Sequence, residues 1–326
     1  MGINTKIEYC DSTINPVMGC TGCELYHTAP EKNHCYAATL VRRYGGRNGW
    51  PDSFDEPEIF DYRIPQAIAW PDLTGTKRDG KPWLNGLPRI VFVNDLGDGF
   101  CPDVDPQDWL TPHLDEMAAS PHVWLLLTKW PHLMDQYFRD TVGEIPSNFW
   151  MGTTVTNSHA TWRIVSLMPL KLLDANLWLS VEPLLGELDL RNVAMRKHPD
   201  GNDDMLDALT GRCWFRETCI APGMHEPHPG DGISWVAAGG ESGRSARPTH
   251  PDWARSIRDQ CREAQIPFFW KQNGMLLHTS QMVPGVHYAE SDGRPDGDRY
   301  VRCASKYAAG RLLDGREWNE MPKWPA

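Results

Sequence analysis

The sequence predicts an α/β protein built on a parallel (β/α) barrel, complete or partial, with loop-rich insertions, and three observations carry that prediction. Between residues 88 and 272, short apolar runs alternate with stretches at helical spacing at least six times, and such alternation gives parallel strands joined by right-handed crossovers. The runs are continuously apolar, as for strands covered on both faces. Each run then gives way to polar or charged residues, as at the rim where the loops of such barrels gather their chemistry. The expected organisation is a barrel over residues 1–275, interrupted at about 45–88 and 185–232, with a loop-rich extension over 276–326.

Composition narrows the class. Of 326 residues, 40% are hydrophobic and 23% charged, and no apolar run approaches the ~20 residues of a membrane helix. A soluble globular chain with no membrane partner is expected. The opening residues, Met-Gly-Ile-Asn-Thr-Lys-Ile-Glu, lack the basic-then-apolar build of a secretory signal, which makes the cytoplasm the expected location. A net charge of −11 does not indicate a nucleic-acid partner, because backbone attraction takes clustered Lys and Arg. Nine cysteines is an odd count in a chain too large to need covalent staples, so metal binding is favoured over disulfides.

Taken in order, residues 7–10 or 14–19 supply a short first strand. The next stretch, 20–35, holds Cys20, Cys23 and Cys35. A two-residue gap lets one turn present Cys20 and Cys23 to a single centre, and the longer loop folds Cys35 back as a third donor. Good helix formers fill 36–44 and Gly45-Gly46 ends them. Residues 45–88, rich in Gly, Pro, Trp and Asp, read as a surface excursion, either a functional lid or a passive cover.

Apolar runs at 89–95, 122–129, 148–157, 177–183, 233–243 and 266–272 are the expected strands, with helices near 106–119, 131–139, 162–165 and 251–264. The irregular stretch 185–232 contains Cys213, Cys219 and a His-Pro-rich run at 225–229, and reads as a cap or subdomain. Cys101, Cys261 and Cys303 are isolated and expected as plain core residues. Most of the fifteen tryptophans are expected in the core as well.

The strand ends are the candidate site. They read Asn94-Asp95, Thr128-Lys129, Thr154 with Thr156-Asn157, Ser180 with Glu182, Gly239-Gly240-Glu241-Ser242-Gly243, and Lys271-Gln272. One such residue is an ordinary cap or solvated strand end; six ends in succession mark a site. The glycine turn admits a ligand close to the backbone and directs N–H groups outward, and Arg244 and Arg247 beyond it could pair with a carboxylate or phosphate. Two readings of the thiols stay open. Three thiolates with an open fourth position suit a redox cluster that binds what it reduces, while Cys10, His27 or His34 could close a zinc tetrahedron.

The entry Asn15-Pro16-Val17-Met18-Gly19-Cys20-Thr21, the exit Cys35-Tyr36-Ala37, the stretch Leu179-Ser180-Val181-Glu182-Pro183-Leu184-Leu185-Gly186, Gly239-Gly240-Glu241-Ser242-Gly243 with Ala246-Arg247-Pro248, and Phe268-Phe269-Trp270-Lys271-Gln272 together resemble a phage and bacterial family of three-cysteine proteins. Its members look like distant radical S-adenosylmethionine (SAM) enzymes. The resemblance implies a 4Fe-4S cluster on Cys20, Cys23 and Cys35, with SAM on the fourth iron, and an external electron donor. One electron passed to the sulfonium would give methionine and a 5′-deoxyadenosyl radical that takes hydrogen from substrate.

The cysteine gaps here, two and eleven, differ from the three and two usual for radical SAM enzymes, and the Gly-Gly-Glu comes late in the chain. Under this resemblance Asn94 and Asp95 would take the SAM amino group, Thr154 and Glu182 its ribose or carboxylate, and Gly239, Gly240, Glu241 and Ser242 adenosine or substrate. Lys129, Lys271 and Gln272 would face a nucleobase, nucleotide or other small polar substrate, with Lys129 or Lys271 binding an anion or acting as an acid. Two rivals come from other classes: a zinc-stabilised binding or assembly protein without catalysis, and a zinc hydrolase with Glu182 or Glu241 as base.

Overall fold

All six apolar runs from residue 89 onward form strands, because side chains without polar alternation are satisfied only where both faces are covered. The computed structural model describes residues 2–29, 32–196, 203–214, 230–243, 245–284, 290–293 and 299–324. Arg244, Cys219 and the 225–229 run lie outside them. The chain divides into two compact units, Met1–Thr153 with Leu172–Asn176 and Lys323–Ala326, and Thr154–Lys171 with Leu177–Pro322.

In the first unit the strands run parallel in the order Ser12–Ile14, Ile90–Val93, Val123–Thr128 and Phe149–Thr154. Their register sets Ser12 opposite Val91, Ile90 opposite Val123, and Trp124 opposite Phe149. In the second unit Trp235–Ala238 lies between Asn176–Val181 and Phe268–Trp270, with Val236 opposite both Leu179 and Phe268. Seven parallel strands among the described residues, against the eight of a closed barrel, make this a partial (β/α) barrel. The first strand begins at Ser12, between the two stretches the sequence offered; Val17–Met18 instead pairs antiparallel with Glu58–Ile59.

The strands are buried along nearly their whole length, and five of them carry a fully enclosed tryptophan. Trp109, Trp124 and Trp150 are fully enclosed in the first unit, Trp178, Trp235 and Trp270 in the second. Pro251–Glu263 is the longest helix among the described residues. His250 caps it by accepting the Asp252 N–H, Pro251 occupies the first turn, and Ala254, Ile257 and Cys261 form its buried stripe, the spacing of one helix face. Cys261 and Cys303 are core residues, as expected.

The excursion at 45–88 is pinned by three cations that donate to backbone carbonyls. Arg63 reaches Asn15 O at 2.7 Å and Gly49 O at 2.6 Å, Arg78 reaches Leu84 O at 2.6 Å and Leu87 O at 2.8 Å, and Lys81 reaches Thr5 O at 2.8 Å and Ile7 O at 2.7 Å. Charge-assisted bonds of this kind are stronger than neutral ones, so the segment is a fastened cover. Two short antiparallel sheets occupy regions where the sequence has no strong period: Arg212–Trp214, Asp204–Asp207 and Val193–Arg196 in one, and Leu276–His278, Arg299–Arg302 and Glu290–Gly293 in the other.

Near the C-terminus, Asp314 accepts from Arg255 at 2.6 Å and Arg258 at 2.7 Å. These guanidiniums, Arg255 first, hold its carboxyl down at about 2, below the ordinary 3.8. A carboxyl lowered on folding contributes stability above its unfolded pKa and loses it as pH falls through the folded one. We predict that Asp314→Asn flattens the fall of the urea midpoint between about pH 4 and 2. An unchanged slope in that window would show that the clamp adds nothing.

Candidate functional site

Cys20 follows a glycine that nothing else can replace. Gly19 has φ +95°, and a Cβ there would lie 2.8 Å from Phe54 O. Cys20 is buried, and its sulfur accepts the Gly22 N–H at 3.4 Å as the chain turns toward Cys23. Cys35 stands at the N-cap of the helix Tyr36–Tyr44, where unpaired N–H groups face a thiol. Its loop is set by buried Asn33, which the sequence did not single out: Nδ2 donates to Cys35 O at 2.8 Å and to Thr39 Oγ1 at 3.2 Å, and Oδ1 accepts the His27 N–H at 3.2 Å.

Asp98 and Lys129 organise the thiols. Asp98 is buried and accepts from Thr128 Oγ1 at 2.7 Å, the Lys129 N–H at 2.8 Å and the Phe100 N–H at 3.1 Å; burial pushes its carboxyl up despite these donors. Burial also works against the Lys129 charge, but Cys23, Cys35, Asp98 and Glu24 together outweigh it and hold the ammonium above its ordinary value. Cys35 is pushed up by burial, opposed by the Ala38 N–H and by Lys129.

Cys101 is fully buried in the core, as expected.

Among the described residues, no group of three or more His, Cys, Asp or Glu side chains is arranged to hold a single metal ion. His27, one of the residues that could have closed a tetrahedron, accepts the Ala29 N–H on Nδ1 at 2.9 Å. Cys23 and Cys35 both act on the Lys129 charge, and Asp98 acts on both Lys129 and Cys20.

At the neighbouring strand end Asn94 has φ 61°, and its Oδ1 accepts the Val17 N–H at 2.9 Å. Asp95 accepts from Asn15 Nδ2 at 2.6 Å and its carbonyl from the Tyr36 hydroxyl. These bonds tie the strand end to both flanks of the cysteine loop.

The second unit holds a separate polar group. Glu182, whose peptide bond to Pro183 is cis, meets Lys271 Nζ at 2.6 Å and Gln272 Nε2 at 2.9 Å. Gly239 lies against the same carboxylate: a Cβ on it would be 3.5 Å from Glu182 Oε1. Gln272 is 3% exposed, and its Oε1 has no hydrogen-bond partner among the described residues. Its amide orientation is fixed, since the nitrogen faces two oxygens, Glu182 Oε1 and Gly240 O at 3.3 Å. A buried carbonyl in that state is free to accept one further donor.

The other predicted residues are placed differently. Glu241 is buried and clamped by Arg247, through its backbone N–H at 2.7 Å, Nε at 2.8 Å and Nη2 at 2.7 Å. Thr154 is buried, with its carbonyl accepting from Arg163 at 3.1 Å, and Ser242 is exposed.

A family model described as "Protein of unknown function (DUF5131)" matches residues 4–322. No curated protein matches the chain. Among solved structures, a Cys-to-Ser mutant of spore photoproduct lyase is similar at 12% identity and a TM-score of 0.39, over 90% of this chain and 68% of that one. Spore photoproduct lyase complexed with dinucleoside spore photoproduct is similar at 11% identity and a TM-score of 0.39, over 88% and 67%. Likenesses this distant transfer no residue role.

Proposed function

The chain belongs to the DUF5131 family, and from its thiol centre we propose that it is an iron–sulfur enzyme of radical SAM type. The observation that carries this is that Cys20, Cys23 and Cys35 share the electrostatic surroundings of Asp98 and Lys129, with an ammonium acting on two of the three thiols. Those three cysteines would hold a 4Fe-4S cluster. When bound, the cluster supplies one electron for reductive cleavage of SAM. The chain's own residues do the rest. Cys20 is shielded from water, the Ala38 N–H and Lys129 offset the negative charge at Cys35, and Asp98 fixes the backbone from which Lys129 projects.

In the second unit Glu182, with Lys271 and Gln272 around it, is suited to hydroxyl or amine donors, and Gln272 Oε1 accepts one more. A nucleobase, nucleotide or other small polar substrate has such groups. The test is anaerobic reconstitution with iron and sulfide, reduction by dithionite, and chromatography of SAM products. Formation of 5′-deoxyadenosine by the native chain but not by Cys23→Ala is expected; its absence from a chain carrying about four irons would refute SAM cleavage.

Lys129 gives a graded prediction. A unit charge about 4–6 Å away at an effective dielectric near 20 is worth roughly 2–4 kcal/mol, on the order of 100 mV for one electron. We predict that Lys129→Met lowers the reduction potential of the reconstituted centre by that order while Lys129→Arg shifts it much less. Equal potentials in titrations of all three proteins would rule out the electrostatic role.

A further inference from the structure

The last turn of the helix Tyr36–Tyr44 and the loop after it gather positive charge and aromatic rings on one surface of the first unit. Arg43 and Arg47 are exposed, and their guanidinium carbons lie 5.4 Å and 5.2 Å from the centre of the Tyr44 ring. The Tyr44 and Trp50 rings meet at 5.1 Å with 40° between their planes. Arg42 is spent on His27 O at 2.8 Å and Thr28 O at 2.7 Å, but neither Arg43 nor Arg47 has a hydrogen-bond or ion-pair partner among the described residues. The exposed acids of the following turn, Asp52 and Glu58, pair with neither; the Glu58 carboxylate accepts the Asp52 N–H at 2.9 Å.

The loop is fixed in place. The Gly45 N–H donates to Val41 O at 2.6 Å and the Trp50 N–H to Arg47 O at 2.9 Å, and Gly46 and Gly49 take φ of +71° and +78°, which side chains disfavour. Arg63 donates to Gly49 O at 2.6 Å while its guanidinium carbon lies 5.7 Å from the centre of the Tyr62 ring. The loop is thereby held beside a further ring, 50% exposed. A surface already ordered loses little freedom on binding.

Two uncompensated guanidiniums about one ring attract an anion, and their planar forks match phosphate oxygens. Aromatic faces beside them stack on unpaired bases. The net charge of −11 does not oppose this, since local clustering of cations sets the field at a binding surface.

We infer that Arg43, Tyr44, Arg47, Trp50 and Tyr62 form a contact surface for single-stranded nucleic acid, with the arginines on backbone phosphates and the rings against bases. An acidic protein would engage the arginines and leave the rings idle, and a duplex keeps its bases stacked out of their reach. The inference stands apart from the iron–sulfur reading, and its test needs neither iron nor SAM.

A fluorescein-labelled thymidine strand of about ten nucleotides is titrated with the full-length protein and followed by anisotropy. Two phosphate contacts on a single strand give a slope of about −1.4 in log K against log salt, so binding should weaken roughly sevenfold between about 50 and 200 mM salt. Arg43→Ala combined with Arg47→Ala should bring that slope close to zero. Trp50→Ala and the exposed Tyr62→Ala should each weaken binding about fivefold or more, with unchanged circular dichroism. No binding at about 100 μM protein in low salt, equal binding by the double arginine variant, or equal binding of the duplex would overturn the inference. Displacement of the strand by polyglutamate as readily as by unlabelled strand would overturn it too, in favour of an acidic protein partner.

Discussion

Replacing any one of Cys20, Cys23 and Cys35 by Ala is expected to take iron after anaerobic reconstitution from about four per chain to near none. Each variant removes one of the three assigned donors, and Cys261 and Cys303 are enclosed elsewhere in the core. Cys261→Ala is the matched control. It deletes a buried sulfur, costs stability by leaving a small void, and should leave the iron count unchanged. Retention of a full cluster in all three site variants would refute the ligand assignment. Loss in the control as well would show that iron uptake follows folding alone.

Gly240→Ala is expected to cost about 3 kcal/mol or more. The added Cβ would lie 2.3 Å from Asn273 O and 2.6 Å from its carbonyl carbon, backbone atoms that cannot swing aside. The same segment is held by the Gly240 N–H donating to Gln272 O at 2.9 Å, so relief of the clash displaces Gln272 from Glu182. Gly80→Ala, whose Cβ would meet nothing within 4 Å, should stay within about 0.5 kcal/mol of the native chain. Similar urea midpoints for the two variants would mean that the close backbone passage at Gly240 is not rigid.

The strands were legible because their signal is local. A continuous apolar run such as Ile90–Val93 or Phe268–Trp270 can be buried on both faces without help from distant residues. The helix Pro251–Glu263 was legible for the same reason, with a cap, a first-turn proline and an apolar stripe in one window. Val193–Arg196 and Arg299–Arg302 carry charges within four residues, and their pairing depends on partners rather than on their own pattern.

Within the site, Glu182, Lys271 and Gln272 were legible as polar residues ending apolar runs, and they meet. Glu241 looked the same in sequence, yet its carboxylate serves Arg247, because the turn that follows brings the guanidinium back onto it. Asn94 looked like a ligand donor, but a left-handed turn points its amide at Val17. The approach of the cysteine loop to the end of the Ile90–Val93 strand could not be read from spacing, since it is a backbone bridge between Gly19 and Gly97.

The most direct test of the central claim is electron paramagnetic resonance of the anaerobically reconstituted, dithionite-reduced protein, recorded before and after SAM is added. The account predicts a signal from a reduced four-iron cluster whose g-values shift when SAM binds. A chain that takes up one zinc and no iron under the same conditions, with no signal before or after SAM, would contradict it.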